Sequence, residues 1–252
     1  MHNIRWVYTN DPLPDPNSTH CGDVIAVGLD LSVERLNDAY SKGIFPWFNA
    51  GEPVLWWCPD PRMVLSCDNL RVSKSMAKLL RRINRTETDE NPEYMVTTNM
   101  CFSSVISACA QPTPSRPKTW INKSILATYT EWHNMGHAHS IEVWNQGKLV
   151  GGLYGVLLGR FFFGESMFSR RSNMSKVALC YLVAILKKLN VYHIDCQQHT
   201  DHLYSMGARS IPREYFLDML KSAQQYDTPV WLSGQLLQSG NIRPMQTLPE
   251  HL

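Results

Sequence analysis

The spacing of hydrophobic positions predicts several strands and a long buried helix in the second half of the chain. Three apolar runs of strand length follow one another, with polar or glycine-containing turns between them. These predicted strands span Ser140–Asn145, Lys148–Leu157 and Arg160–Phe168. The longest apolar run, Val177–Leu186, is bounded by lysines and is too short to cross a bilayer as a helix, so it predicts a buried helix over Asn173–Leu189. A further strand is predicted at Val191–Gln197.

The remaining elements are shorter and are recognised by their capping residues and amphipathic spacing. A helix is expected to begin after Ser32, its N-cap, and to end near Ser41. Further helices are predicted at Ser73–Arg82, Phe102–Ala110, Ser124–Met135 and Glu214–Gln224, with a strand at Arg62–Leu65. Two polar segments, Asn84–Glu93 and Gln111–Lys118, predict flexible loops, and the residues from Trp231 onward are interpreted as a tail.

This order of elements predicts an α+β fold in which helices pack on a mixed sheet. The Pro59-Asp60-Pro61 segment is an expected domain boundary, because prolines interrupt both helices and strands. We therefore expect a small N-terminal α+β domain at residues 1–61 and a larger domain at residues 62–252.

Composition narrows the class of protein. The 252 residues are 44% hydrophobic and 18% charged, as in ordinary globular proteins, and the net charge of +2 is too small to identify a nucleic-acid partner by itself. The seven cysteines include no CxxC pair, which favours reduced thiols and a cytoplasmic location. The N-terminal residues lack the apolar core of a signal peptide, and no membrane partner is expected.

Two acidic residues lie inside predicted apolar strands, where a charge is costly without a partner. Glu165 is flanked by phenylalanines and methionine, which suggests a cationic ligand. Asp195 and Gln197 are two residues apart, so strand alternation places them on one face and could direct both at an amine. Asp195 could equally face solvent at a strand end. Phe162 and Glu165 share one pocket only if Gly164 marks a β-bulge.

A cationic stripe marks the helix predicted at Ser73–Arg82. Its members are Lys74, Lys78, Arg81 and Arg82, which share one helix face. Such a stripe suggests a phosphate backbone as partner, although a solvated face is the more common explanation for one helix. His193, Cys196, His199 and His202 have only a loose metal-ligand spacing, so neither a metal nor a cofactor is expected.

Several segments together resemble the leucyl/phenylalanyl-tRNA–protein transferase family, in family order and over residues 28 to about 216. They are YSKGIFPWF (40–48), LWWCPDPR (55–62), TWI (119–121), GHAHSIEVW (136–144), LVGGLYGV (149–156), GESMFS (164–169), NMSKVAL (173–179), IDCQ (194–197) and SMGARSIPR (205–213). Each segment alone is weak, whereas their joint occurrence by chance is very improbable.

The resemblance implies an N-acetyltransferase-like fold for the C-terminal domain. It also implies transfer of Leu or Phe, with Met as a further candidate, from Leu-tRNA or Phe-tRNA. The acceptor would be the α-amine of an N-terminal Arg or Lys, and the new peptide bond would mark that protein for degradation. A monomer without a cofactor is expected.

The resemblance also implies roles for individual residues. Asp195 and Gln197 would act on the acceptor amine, and Glu165 would bind the basic residue or help to position the amine. Trp47 and Trp120 would flank the terminal adenosine of the tRNA. The pocket for the transferred side chain would consist of Leu153, Phe162, Leu179, Leu182 and Ile194, and the cationic stripe would contact the acceptor stem.

Two other functions remain possible on the residues. An acyl-CoA-dependent N-acetyltransferase would share the fold class, but residues 170–175 lack the glycines of the usual pyrophosphate loop. A non-catalytic RNA-binding protein would use the cationic stripe and the tryptophans, but it gives no reason for Glu165 and Asp195 in apolar strands.

Overall fold

The computed structural model describes residues 4–18, 22–112 and 119–248. Within these ranges the chain forms thirteen strands and seven α-helices. The strands are β1 (Arg5–Val7), β2 (Val24–Gly28), β3 (Phe45–Pro46), β4 (Val54–Trp57), β5 (Arg62–Ser66), β6 (Tyr94–Thr98), β7 (Ala138–Asn145), β8 (Lys148–Leu158), β9 (Phe161–Ser169), β10 (His193–Gln197), β11 (Arg209–Ile211), β12 (Gly234–Leu236) and β13 (Ile242–Pro244). The helices are α1 (Val33–Ser41), α2 (Lys74–Thr86), α3 (Phe102–Ala110), α4 (Lys123–Asn134), α5 (Met174–Lys188), α6 (Asp201–Ser205) and α7 (Arg213–Ala223).

Nine strands form the main sheet, in the order β11-β5-β10-β9-β8-β7-β6-β12-β13. Strands β9 and β10 are parallel, because α5 carries the chain back across the sheet between them, and the other described pairs are antiparallel. Helix α5 packs on β7, β8 and β9, and α3 contacts the same three strands. Separate hydrophobic clusters contain α5 and α3, which places the two helices on opposite faces. The prediction of an α+β fold with a mixed sheet is confirmed.

The N-terminal residues form a second, four-stranded sheet in the order β1-β2-β4-β3. Its helix α1 begins as predicted, since the Ser32 hydroxyl accepts a hydrogen bond from the backbone N–H of Arg35. The expected boundary at residue 61 falls immediately before β5. One hydrophobic cluster nevertheless runs from this sheet through α1 to α3 and α4 of the larger unit. Side chains of α1 can therefore reach the main sheet.

The polar segment Asn84–Glu93 is more ordered than predicted. Helix α2 continues to Thr86, and Glu87, which follows it, is buried. The Glu87 carboxylate accepts hydrogen bonds from the Tyr181 hydroxyl at 2.9 Å and from the backbone N–H of Gln238 at 3.0 Å. Because both donors come from distant parts of the sequence, local polarity alone could not reveal this anchor. The other predicted loop, Gln111–Lys118, lies outside the described residues from position 113 onward.

The predicted tail after Trp231 was wrong. Strand β12 pairs with β6 at the sheet edge and with β13 beyond it. Trp231 precedes β12 and is 9% exposed, and its indole N–H donates to the Thr98 hydroxyl at 2.8 Å. Strands β12 and β13 are only three residues long, and apolar and polar residues do not alternate clearly in them. They are therefore recognised as strands only by their pairing with neighbouring strands.

Helix α5 agrees with the predicted buried helix to within one residue at each end. Asn173 occupies its N-cap position, but the residue has φ of +69° and its side chain makes no capping hydrogen bond. None of the helices in the described ranges has both the length and the apolar character that a membrane span requires.

Candidate active site

Five residues predicted for one pocket do line one cavity in the main sheet, on the face covered by α5. They are Leu153, Phe162, Leu179, Leu182 and Ile194, and the same lining includes Met167, Cys196, Leu203, Glu165 and Gln197. The lining is therefore mainly apolar, and its polar members are the Glu165 carboxylate, the Gln197 carboxamide and the hydroxyl-bearing residues Ser166 and Tyr154. The cavity volume is about 140 Å³. A cavity of about 150 Å³ with Leu, Ile and Phe walls holds one benzene molecule, so this space fits a single leucine or phenyl side chain.

A β-bulge brings Glu165 to this cavity. Tyr154 of β8 pairs with Ser166, whereas the next residue, Gly155, pairs with Gly164, so Glu165 is the extra residue in β9. The β-bulge that a shared pocket for Phe162 and Glu165 requires is therefore present next to Gly164. Without it, Glu165 and Phe162 would face opposite sides of the sheet, because side chains alternate along a strand.

Glu165 is held by three hydrogen-bond donors. The Tyr40 hydroxyl donates to Oε1 at 2.6 Å, Gln197 Nε2 donates to the same oxygen at 3.2 Å, and the Tyr129 hydroxyl lies 3.4 Å from Oε2. The Tyr40 and Tyr129 hydroxyls are themselves 2.6 Å apart. Three elements distant in sequence, α1, α4 and β10, therefore converge on one carboxylate.

Burial raises the pKa of Glu165 to about 7, against the opposing effect of its hydrogen bond from Tyr40. The negative charge of Asp195 raises this pKa further, and the hydrogen bonds from Gln197 and Tyr129 lower it. Burial also raises the pKa of Tyr40 and Tyr129 well above 10, so both remain protonated donors. Glu165 can thus gain or lose a proton near neutral pH, which is the property a general acid–base group needs.

Asp195 occupies a different environment from the one predicted. It is fully buried and forms a two-pronged ion pair with Arg62, at 2.8 Å from Nε to Oδ1 and 2.6 Å from Nη2 to Oδ2. The Arg62 guanidinium packs between the rings of Phe45 and Phe216, at 4.8 and 4.5 Å from their centroids. Both carboxylate oxygens of Asp195 are therefore already engaged by protein groups on the face opposite the cavity.

The prediction that Asp195 and Gln197 share one face was wrong, because strand β10 is irregular at that point. The pairing of β10 with β5 shifts between Asp195 and Gln197, and Gln197 has a left-handed φ of +63°. Consequently Cys196 and Gln197 both line the cavity, together with Ile194. The backbone N–H of Gln197 donates to Asp195 Oδ1 at 2.8 Å. Asp195 thus holds the unusual backbone that turns Gln197 toward Glu165.

Comparison with known proteins identifies the family of the chain. A family model described as leucyl/phenylalanyl-tRNA protein transferase matches residues 64–221, and one for the N-terminal domain of the same family matches residues 29–60. A leucyl/phenylalanyl-tRNA–protein transferase of Bordetella petrii is 48% identical over 244 residues, covering 96% of each chain. One from Nitrosospira multiformis is 52% identical over 225 residues, covering 88% of this chain and 93% of the relative. The chain belongs to this family.

Solved structures give more distant similarities. L-PGS from Bacillus licheniformis aligns with a TM-score of 0.37 and 13% identity, over 84% of this chain and 66% of that one. A GCN5-related N-acetyltransferase-like protein from Streptococcus suis aligns with a TM-score of 0.32 and 11% identity, over 74% and 67%.

Trp47 and Trp120, which the family resemblance assigns to the adenosine, each immediately precede a residue that lines a surface cleft. Their sequence neighbours Phe48 and Ile121 both line this cleft, so the two segments that carry the tryptophans meet there. Trp47 is 38% exposed, and its ring lies 5.4 Å from that of Trp57. An exposed indole fixed by a neighbouring ring is suited to stacking on a nucleobase.

The cationic stripe of this transferase family member lies on α2 as predicted. Lys74, Lys78, Arg81 and Arg82 are all exposed, while Met76, Leu80 and Ile83 on the other face are buried. Arg82 differs from the other three because it pairs with Glu93 at 2.6 Å. Glu93 therefore partly neutralises the stripe at this one position.

Three residues of the site had no role predicted. Tyr40 and Arg62 stand at the edges of family-like segments, which was a usable signal. Tyr129 carries no such mark, because it lies within an otherwise ordinary amphipathic helix. Within the described residues, no group of three metal-ligating side chains comes together, and His193 instead stacks on Phe161 at 6.0 Å.

Proposed function

We propose that this chain transfers Leu or Phe from aminoacyl-tRNA to the α-amine of an N-terminal Arg or Lys on an acceptor protein. The observation that carries this proposal is the apolar cavity with Glu165 and Gln197 in its lining. Membership of the transferase family supports the same reaction. The product is a peptide bond that marks the acceptor for degradation, and the enzyme acts as a monomer in the cytoplasm, where charged tRNAs are present.

The cavity binds the side chain of the transferred amino acid. Each buried CH₂ group contributes about 0.8 kcal/mol, so an apolar pocket favours Leu and Phe over smaller residues. Leu179 and Leu182 of α5 and Phe162 of β9 are among the side chains that line this pocket. Met is a further substrate on the same grounds, while Ile and Val are excluded by shape.

Gln197 and Glu165 serve the acceptor amine. The carboxamide nitrogen of Gln197 already donates to Glu165, which leaves its carbonyl oxygen to accept a hydrogen bond from the amine. An α-amine has a pKa of about 7.7–8.0, so a group with a pKa near 7 can help to remove its proton. The carboxylate of Glu165 also offers a negative charge to the guanidinium or ammonium of the N-terminal residue.

The bond changes need no covalent enzyme intermediate. The free amine attacks the ester carbonyl, the new C–N bond forms, and the ester C–O bond to the ribose breaks. The ribose oxygen leaves and takes up one proton, and the amine loses one. Asp195 does not touch the reacting atoms in this scheme; it holds the backbone of Gln197 and is itself neutralised by Arg62. This modifies the expectation that Asp195 itself acts on the acceptor amine.

The tRNA is held at two places. Trp47 and Trp120 flank the terminal adenosine, and the exposed cations Lys74, Lys78 and Arg81 contact phosphates of the acceptor stem. Arg82 belongs to the same surface but is partly neutralised by Glu93. Phosphate contacts of this kind supply affinity without reading the sequence.

The direct test is transfer of radiolabelled leucine from Leu-tRNA to peptides that differ only in their first residue. Label on peptides beginning with Arg or Lys, and none on the matched peptide beginning with Gly, is the expected result. Equal labelling of all three peptides would remove the role of Glu165 in acceptor choice. No label on any peptide, followed by acylation when acetyl-CoA is supplied, would replace the proposal with the N-acetyltransferase alternative.

A further inference from the structure

Trp231 stands directly behind one wall of the cavity. Its ring centroid is 5.9 Å from that of Phe162, which lines the cavity, and the ring also stacks on His139 at 4.4 Å and 10° between planes. The indole N–H is anchored on the Thr98 hydroxyl, which in turn donates to the Ser140 carbonyl. The position of the Trp231 ring is thus fixed by β6 and β7.

No side chain of β8 lies between the Phe162 ring and the sheet at position 155. Gly155 of β8 lies under the ring, and a Cβ atom at that position would come within 2.5 Å of Phe162 Cε1 and Cζ. The absence of a side chain at Gly155 lets the phenyl ring settle against the sheet. Lateral restraint must then come from neighbours on the same face, and Trp231 is an aromatic one at packing distance.

Trp231 lies beyond the residues 64–221 that match the family model. The segment that carries it continues into β12, which extends the main sheet beyond β6. The aromatic contact to Phe162 from Trp231 is therefore supplied by a part of this chain that the matched family model does not include.

We propose that Trp231 is a positioning residue that holds the Phe162 ring and thereby sets the discrimination between Leu and Phe. This inference rests on the proposed function, because it concerns the same cavity. A smaller side chain at 231 leaves space into which Phe162 can move, so the cavity becomes larger on that side. A phenyl substrate gains contacts from this change, whereas a leucyl side chain fits the enlarged space less closely.

The test compares the ratio of kcat/KM for Phe-tRNA to that for Leu-tRNA in each variant. We expect Trp231→Leu to raise this ratio about tenfold, the discrimination that one methylene of pocket size provides. Trp231→Phe keeps an aromatic ring against Phe162 and should return the ratio toward that of the unaltered chain. Leu232→Ala is the matched control, because Leu232 is the next residue and is 52% exposed. A general loss of stability lowers both kcat/KM values together and leaves the ratio unchanged.

A second measurement does not require Trp231→Leu to fold. The unaltered chain is labelled with 5-fluorotryptophan, and the Trp231 resonance is assigned with Trp231→Phe. The 3′-amide analogues of leucyl- and phenylalanyl-adenosine are then added, and the phenylalanyl analogue should shift the Trp231 resonance more.

The outcomes separate the two proposals. Normal transfer by the unaltered chain, with an unchanged Phe/Leu ratio in folded Trp231→Leu, would overturn the inference alone. Equal Trp231 shifts with both analogues would do the same. No transfer of either amino acid by the unaltered chain would remove the proposed function and this inference with it.

Discussion

The buried pair of Arg62 and Asp195 allows stability and catalysis to be separated by mutation. Both side chains are fully buried, and each provides the neutralising charge of the other. Removing one partner of such a pair costs about 3–5 kcal/mol, because the remaining charge has no water and no counter-ion. At roughly 2–4 °C per kcal/mol for a chain of this size, Arg62→Met or Asp195→Leu should lower Tm by about 6–20 °C.

The double variant Arg62→Met/Asp195→Leu should recover most of this loss. Replacing both charges with apolar side chains removes the desolvation penalty together with the attraction, and such replacements are often neutral. The backbone N–H of Gln197, however, loses its acceptor on Asp195 in this variant. The left-handed backbone at Gln197 is then no longer held, and the carboxamide is displaced from the cavity.

We therefore expect a folded double variant whose transfer activity is reduced at least about 100-fold, the size of a lost general acid–base contribution. Thermal unfolding followed by circular dichroism gives the stability, and labelled leucine transfer to an Arg-peptide gives the activity. A double variant with both normal Tm and normal transfer would show that Asp195 does not position Gln197. A double variant no more stable than the single variants would contradict the electrostatic argument instead.

Three further predictions concern the pH profile, the tRNA and the cavity. Tyr40→Phe removes the hydrogen bond that lowers the Glu165 pKa, so this pKa rises above about 7. The acidic limb of the plot of kcat/KM against pH should then move to higher pH. An unmoved limb would exclude Glu165 as the titrating group. Lys74→Ala and Lys78→Ala should each weaken the binding of Leu-tRNA and of Phe-tRNA by the same factor, and should reduce the slope of log K against log salt by roughly 0.7–0.9. The control Lys148→Ala, at an exposed position of β8, should change neither the affinity nor the slope. Leu182→Phe fills part of the cavity and should lower kcat/KM for Phe-tRNA more than for Leu-tRNA; an equal decrease would place Leu182 outside the subsite.

Hydrophobic periodicity was sufficient to predict the strands and helices whose packing partners are near in sequence. The limits of β7, β8, β9 and α5 follow from apolar runs and from the turn at Gly159, because hairpins and their covering helix pack locally. The apolar part of the cavity was likewise predictable, since all five residues expected there do line it. The resemblance to the family identified these five positions together.

The predictions from sequence were wrong where long-range contacts override the local pattern of residues. Gln197 was predicted to share a face with Asp195, and only the irregular pairing with β5 reverses this. Trp231 and β12 were predicted as a tail because their partners on β6 are more than 130 residues away. Tyr129 reaches Glu165 from a helix whose pattern shows only burial.

The hydroxyl pair of Tyr40 and Tyr129 makes the acidity of Glu165 depend on how two parts of the protein are docked. Tyr40 comes from the helix of the four-stranded sheet, and Tyr129 comes from a helix on the nine-stranded sheet. A small slip between α1 and α4 would lengthen the 2.6 Å bond to Glu165 and raise the proton affinity of that carboxylate. Inserting or deleting residues in the connection between the two sheets would therefore change the pKa of Glu165 without replacing any residue that lines the cavity.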